Sequence, residues 1–149
     1  MRFHLIDRVV SCEPGKSVHG RKLTSLGEEY WEETGDGLRM PPPLALEALC
    51  QAGTWLIMIT TERKKRAALL SIGSVEFLGP IVPGDVLELE GTVDSMNDEV
   101  AVISGRVTVD GKAVLEAREI MCALMDADHL AELDDTERLQ LMLTRAEAE

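Results

Sequence analysis

Apolar residues fall along this chain in two different rhythms. Over residues 44–60 they run almost without interruption, and only Glu47 and Gln51 bring strongly polar groups into the run. A helix that is apolar on nearly every face is buried on nearly every face. Met40-Pro41-Pro42-Pro43 leads into it as a rigid extended segment, since prolines restrict the residues before them and the last one suits a first helical turn. The run closes on Glu62-Arg63-Lys64-Lys65-Arg66, whose cations complement the negative end of the helix dipole.

Downstream the period becomes two. Residues 67–77, 85–94, 99–109 and 112–124 read as strands, with Leu87, Leu89 and Gly91 alternating against Glu88 and Glu90. Asp110-Gly111 is a tight hairpin signal, and Met96-Asn97-Asp98 makes the reversal before it. Residues 78–85 must bend, because Pro80 and Pro83 would remove ladder hydrogen bonds from a paired strand. Upstream, residues 3–10 read as a short helix or an opening strand, Glu13-Pro14-Gly15-Lys16 as a turn and residues 17–23 as a modest strand. Residues 27–37, dense in charge and glycine, read as a loop pinned by Tyr30 and Trp31. The expected fold is α+β: a strongly curved antiparallel sheet wrapped around one long helix. The side of the helix that this sheet leaves bare calls for a second subunit.

Composition narrows the function. A chain of 149 residues with 45% hydrophobic residues fits one domain. Its 27 acids against 15 bases give a net charge of -12, which repels a nucleic-acid backbone. Cys12, Cys50 and Cys122 form no CxxC pair, and their odd number argues against a full set of disulfides. There is no metal-ligand cluster, no G-x-S-x-G turn and no phosphate loop among Gly73, Gly79 and Gly84, so no cofactor or metal is expected. The opening MRFHLIDRVV lacks a secretory apolar stretch, and the long apolar run is short for a membrane span and contains Glu47 and Gln51. A cytoplasmic protein without membrane insertion is expected.

Residues 126–149 differ from the rest: eight acids and two bases supply half the net charge. Leu130, Leu133, Leu139, Leu141 and Leu143 suit a short amphipathic helix there. The chain therefore divides into a domain over residues 1–125 and an acidic extension over 126–149, either a solvated helix or a partner-binding arm. Arg63, Lys64, Lys65 and Arg66 are the candidate docking patch for an acidic partner, or a solvated helix terminus.

Glu47 is the most informative residue. It lies four before Gln51, so both share one helix face. A carboxylate on so apolar a helix must find hydrogen-bond partners, become neutral or face a wet cavity, and such a group suits acid–base work. Gly53, inside the helix, suggests a close approach by a sheet or a ligand chain. His4, His19 and His129 are placed for packing or surface duty more than for catalysis.

Four segments together resemble the 3-hydroxyacyl-[acyl-carrier-protein] dehydratase family, whose fold is the hotdog. They are Leu5-Ile6-Asp7-Arg8-Val9 with Glu13-Pro14-Gly15-Lys16; Met40-Pro41 with Glu47-Ala48-Leu49-Cys50-Gln51-Ala52-Gly53; Val75-Glu76-Phe77 running to Val82-Pro83-Gly84-Asp85; and Val109-Asp110-Gly111-Lys112 with Glu116-Ala117 and Cys122-Ala123-Leu124. The resemblance covers about residues 3–125. It implies a dimer in which a loop histidine takes the substrate C2 proton, a helix acid from the other subunit protonates the departing hydroxyl, and a glycine amide after Met-Pro holds the thioester carbonyl. Glu47 matches the helix acid and Gln51 its polar neighbour. The histidine position falls on Glu33 and the glycine position on Pro42, which has no N–H.

Glu47 and Glu33 are thus the catalytic candidates, sharing one proton if they share a site. Gln51, Met40, Arg39 and Trp55 are the substrate-binding candidates. Three functions stand open: an acyl-thioester-binding protein without conventional dehydratase activity, an active dehydratase, isomerase or acyl thioesterase built on Glu47, or a structural or partner-binding subunit. The expected partners are an acyl carrier protein or CoA thioester of fatty acid or polyketide synthesis, and a second copy or a paralogous hotdog chain.

Overall fold

The computed structural model describes residues 4–127 and 133–144. Its elements in chain order are β1 (Arg8–Glu13), β2 (Ser17–Leu23), β3 (Glu32–Thr34), β4 (Gly37–Arg39), α1 (Pro42–Thr60), β5 (Lys65–Phe77), β6 (Val86–Met96), β7 (Val100–Val109), β8 (Lys112–Asp126) and α2 (Leu133–Thr144). Six strands form one antiparallel sheet in the order β1-β2-β6-β7-β8-β5. α1 lies against β1, β2, β5, β6, β7 and β8, on one face of that sheet. This is the architecture expected from the two rhythms.

Alternation explains which face receives the helix. Leu87, Leu89, Ala101, Ile103, Val107, Leu115 and Ala117 point inward and are at most 3% exposed. They meet Ala48, Leu49, Ala52, Leu56 and Ile57 of α1 in one continuous core. Burying each large aliphatic side chain contributes about 1.5–3 kcal/mol. The opposite face carries charge: His19 and Arg21 pair with Glu88, and Arg106 with Glu90.

A flat sheet could not enclose a helix, and bulges supply the bend. Registers slip at Asp94 in β6, at Ser104 in β7 and at Arg118–Glu119 in β8, next to one another across the sheet. Ser104 Oγ joins the three, donating to Asp94 Oδ2 and accepting the Glu119 N–H. Glu119 takes a left-handed φ of 54° to make the extra residue fit. The inward set of β8 accordingly changes from Leu115 and Ala117 to Ile120, Cys122 and Leu124.

Three expectations need correction. Residues 27–37, read as a loop, run into a hairpin in which Glu32, Glu33 and Thr34 pair with Arg39, Leu38 and Gly37; so short a charged pair has no buried face to reveal it. The opening segment becomes a strand only from Arg8. α1 begins at Pro42, because the first helical N–H groups lack partners anyway and proline gives up nothing there. His129, with much of the acidic extension, lies outside the described residues.

Gly105 marks the tightest approach in the sheet. A Cβ there would overlap the Glu90 carbonyl oxygen and stand 2.9 Å from Leu49 Cδ1. Gly105→Ala is expected to lower stability by about 1–3 kcal/mol, read as a lower urea midpoint at unchanged slope.

Candidate functional site

One side of α1 is left uncovered by its own sheet. Pro42, Pro43 and Glu47 are exposed there, while Leu46, Cys50, Gln51 and Thr54 are partly buried. The expectation of a helix buried on every side therefore does not hold within one chain. At this face Gln51 Nε2 donates to Glu47 Oε1 at 3.0 Å, as i, i+4 spacing allows. Gln51 Oε1 in turn accepts the main-chain N–H of Leu5 at 2.8 Å. That second bond settles which end of the amide faces the acid, so Gln51 presents a donor to Glu47.

The Leu5 amide is held by deep anchoring. Leu5 and Ile6 are 2% and 4% exposed. Ile6 fits because Gly20 has no side chain; a Cβ there would sit 2.8 Å from Ile6 Cδ1. Asp7 follows, its N–H donating to Arg21 O and its carboxylate accepting the Leu23 N–H. Beside it Lys22 turns inward with a 7% exposed side chain, donating to Leu23 O and Glu28 Oε1 at 2.7 and 3.0 Å and lying 3.4 Å from Asp7. Sequence reading passed over this cluster, although Val18, Gly20 and Lys22 fall on the inward phase of β2. The Leu5 amide leaves no side-chain signal at all.

The approach to α1 is poor in donors. Pro41, Pro42 and Pro43 carry no N–H, no side chain caps the helix, and the Leu44 N–H is bonded to Pro41 O at 2.9 Å. Met40 is 4% exposed and its N–H meets Ile81 O, so it belongs to the core. Arg39 pairs with Asp36 at 3.1 Å. Glu33 is exposed on β3 opposite Leu38. Among the described residues no hydrogen bond or ion pair joins it to Glu47. Trp55, 5% exposed, also lies within the core.

Two spaces adjoin these elements. A groove of about 410 Å³ runs between the β3–β4 hairpin, Met40, Pro42 and Ala45, and the Phe77–Ile81 segment, with Arg39 at its wall. Phe77 and Leu78 on its rim are about half exposed; the sequence showed the first only as the end of a strand and the second as the start of a bend. A narrower space of about 50 Å³ lies under Leu49, Cys50, Gly53 and Thr54, against Leu69, Ile103 and Cys122. No close approach accounts for Gly53: Ile103 Cδ1 of the sheet lies 3.5 Å from where its Cβ would be, an ordinary contact. Burial, then the Glu47 charge, pushes the Cys50 thiol up to about 11.

The four bases after α1 are all engaged by this chain. Arg63 bonds Gln140 and Arg66 bonds Thr136, both on α2, while Lys64 pairs with Glu62 and Lys65 with Asp126. Among the described residues no cluster of His, Cys, Asp and Glu could hold a metal. α1 is long and apolar enough to cross a membrane, but here it packs as a core helix against the sheet.

A curved antiparallel sheet around a single long helix, with one acid near the start of that helix, defines a hotdog protein. Residues 1–118 match the FabA-like domain, and the chain belongs to that family. It is similar to the 3-hydroxyacyl-[acyl-carrier-protein] dehydratase FabZ of Roseiflexus sp., 39% identical over 124 residues covering 82% of this chain and 86% of that protein. FabZ of Anaeromyxobacter sp. is 37% identical, covering 85% and 83%. Among solved structures, a Streptococcus mutans protein bound to acetyl CoA superposes with a TM-score of 0.65 at 19% identity, covering 85% of this chain and 94% of that one. A hypothetical thioesterase with coenzyme A from Streptococcus pneumoniae gives 0.61 at 16%, covering 80% and 85%. At such identities the structural matches establish the fold.

Because Glu47 helps to keep the Cys50 thiol protonated, Glu47→Gln is expected to lower the pH at which Cys50 is alkylated to below about 11. The sign follows from removing a negative charge that opposes the thiolate. Iodoacetamide rates against pH, followed by mass spectrometry at Cys50, measure it.

Proposed function

We propose that this chain binds an acyl thioester, carried by an acyl carrier protein or by CoA, as a dehydratase-like cytoplasmic hotdog protein that does not perform conventional 3-hydroxyacyl dehydration. The observation that carries this reading is the helix entrance, where Pro41, Pro42 and Pro43 offer no N–H and Leu44 has spent its own on Pro41. Dehydration by C2 proton abstraction builds negative charge on the thioester oxygen, and losing one donor to such an oxyanion costs about 10²–10³ in rate. The position that resemblance gives to a histidine base holds Glu33, a carboxylate exposed to water. Thioester recognition makes no comparable demand, and the groove beside Arg39 together with the space under Cys50 supplies room for it.

The binding unit of this proposal is a homodimer. β5, 13 residues long, ends the sheet with an open edge and displays Leu69 and Leu70 at 56% and 59% exposure. An unprotected long apolar edge invites another strand. A second copy along β5 would also roof the Glu47 side of α1.

One observation favours a hydrolytic alternative: Gln51 can only donate to Glu47, an arrangement suited to a carboxylate that directs water at a thioester carbonyl. Assays with purified protein separate the readings. We expect saturable binding of an acyl-pantetheine, with no dehydration of a 3-hydroxyacyl thioester above the buffer rate. Robust dehydration lost in Glu47→Gln overturns the proposal, and hydrolysis lost in both Glu47→Gln and Gln51→Leu establishes the alternative.

A constructive test restores the two missing groups. Glu33→His together with Pro42→Gly is expected to raise dehydration above that of Glu33→His alone by roughly 10²–10³, measured as enoyl-thioester formation.

A further inference from the structure

Two features that stand 60 or more residues apart in sequence, the bases after α1 and the acidic extension, meet in the folded chain. Arg63 Nη1 donates to Gln140 Oε1 at 3.2 Å, Arg63 Nη2 lies 3.5 Å from Glu137 Oε1, and Arg66 Nη2 donates to Thr136 Oγ1 at 2.9 Å. Thr136, Glu137 and Gln140 share one face of α2. Leu139 and Leu143 seat the helix on the core, Leu143 being 7% exposed. The FabA-like match stops at residue 118, before α2 begins.

The fit between α2 and the bases is incomplete. Among the described residues the two guanidiniums meet one carboxylate and two neutral oxygens, and the Glu137 side chain is itself 56% exposed. Arg66 Nη1 is buried with no hydrogen-bond partner among the described residues. A guanidinium is satisfied best by the paired oxygens of a carboxylate. A helix bearing carboxylates where α2 carries Thr136 and Gln140 would therefore bind this surface better than α2 does.

We propose that the α1–β5 turn, with Arg63 and Arg66 at its centre, is a docking surface for an acidic helix of an acyl carrier protein, and that α2 occupies it as an internal stand-in which the carrier displaces. This rests on the reading that the acyl group arrives on a carrier. From Glu47 to its end at Thr60, α1 runs about 20 Å, and Arg63 lies three residues further on. The surface therefore recruits and orients the carrier, and the arm bearing the acyl group spans the remainder.

The test uses the full chain and a carrier protein without an acyl group, with binding followed by calorimetry at low salt. Leu143→Asp removes the apolar seat of α2 and is expected to tighten binding roughly tenfold. The added negative charge alone would act in the opposite direction. Arg63→Glu with Arg66→Glu is expected to abolish binding in either background. Leu143→Ser serves should the aspartate variant fail to fold. Equal affinity before and after release of α2, or binding indifferent to Arg63 and Arg66, overturns the proposal. An acyl-pantetheine without carrier is titrated alongside: if it binds while release changes nothing, the docking surface fails and the thioester reading stands, and if neither ligand binds, both fall.

Discussion

Everything in this fold depends on enclosing one apolar helix of 19 residues in a single sheet. α1 supplies side chains to the core along much of its length, from Ala45 to Met58, so the strands around it must bend rather than lie flat. The bend is concentrated where β6, β7 and β8 each depart from regular pairing, and Ser104 serves the polar groups that the bulges release. Extra residues reset the alternation, which is how β8 keeps an apolar side toward the helix on both sides of Glu119. A sheet without these irregularities would keep its pairing and lose its contact with α1.

Legibility in the sequence followed burial. α1, the alternation of β6 and the Asp110-Gly111 turn were readable because each writes its environment into residue type: apolar on all sides, apolar on one, or left-handed. The β3–β4 hairpin was not readable, since Glu32, Glu33 and Thr34 are all exposed and no face of it needs an apolar residue. At the site, the i, i+4 relation of Glu47 and Gln51 could be seen in advance. The orientation of Gln51 could not, because it is set by a main-chain amide from a segment 46 residues away. The bases after α1 and the acids of the extension were both conspicuous, yet their meeting depends on where the chain turns in space.

The proline entrance shows how a local solution removes hydrogen-bond donors. Pro41 holds the chain extended before α1, and Pro42 and Pro43 fix its first turn without a capping side chain. A helix N-terminus ordinarily offers free N–H groups at the positive end of its dipole, a ready site for developing negative charge. Here the dipole remains but the donors do not. The groove beside that end is rimmed by Phe77 and Leu78 and has Arg39 at its wall.

The single chain leaves two demands unmet, and they lie on the same side of the molecule. Among the described residues β5 ends the sheet with no partner on its outer edge, and α1 leaves Glu47 and its neighbours only partly covered. The two are linked physically: Ala67 and Leu69 of β5 line one small space with Leu49, Cys50, Gly53 and Thr54 of α1. Whatever continues the sheet beyond β5 must therefore also approach that side of the helix. A two-fold partner meets both demands with one surface, because each copy then presents the same open edge and the same half-covered helix to the other. Glu47 would pass from solvent to a seam between apolar walls.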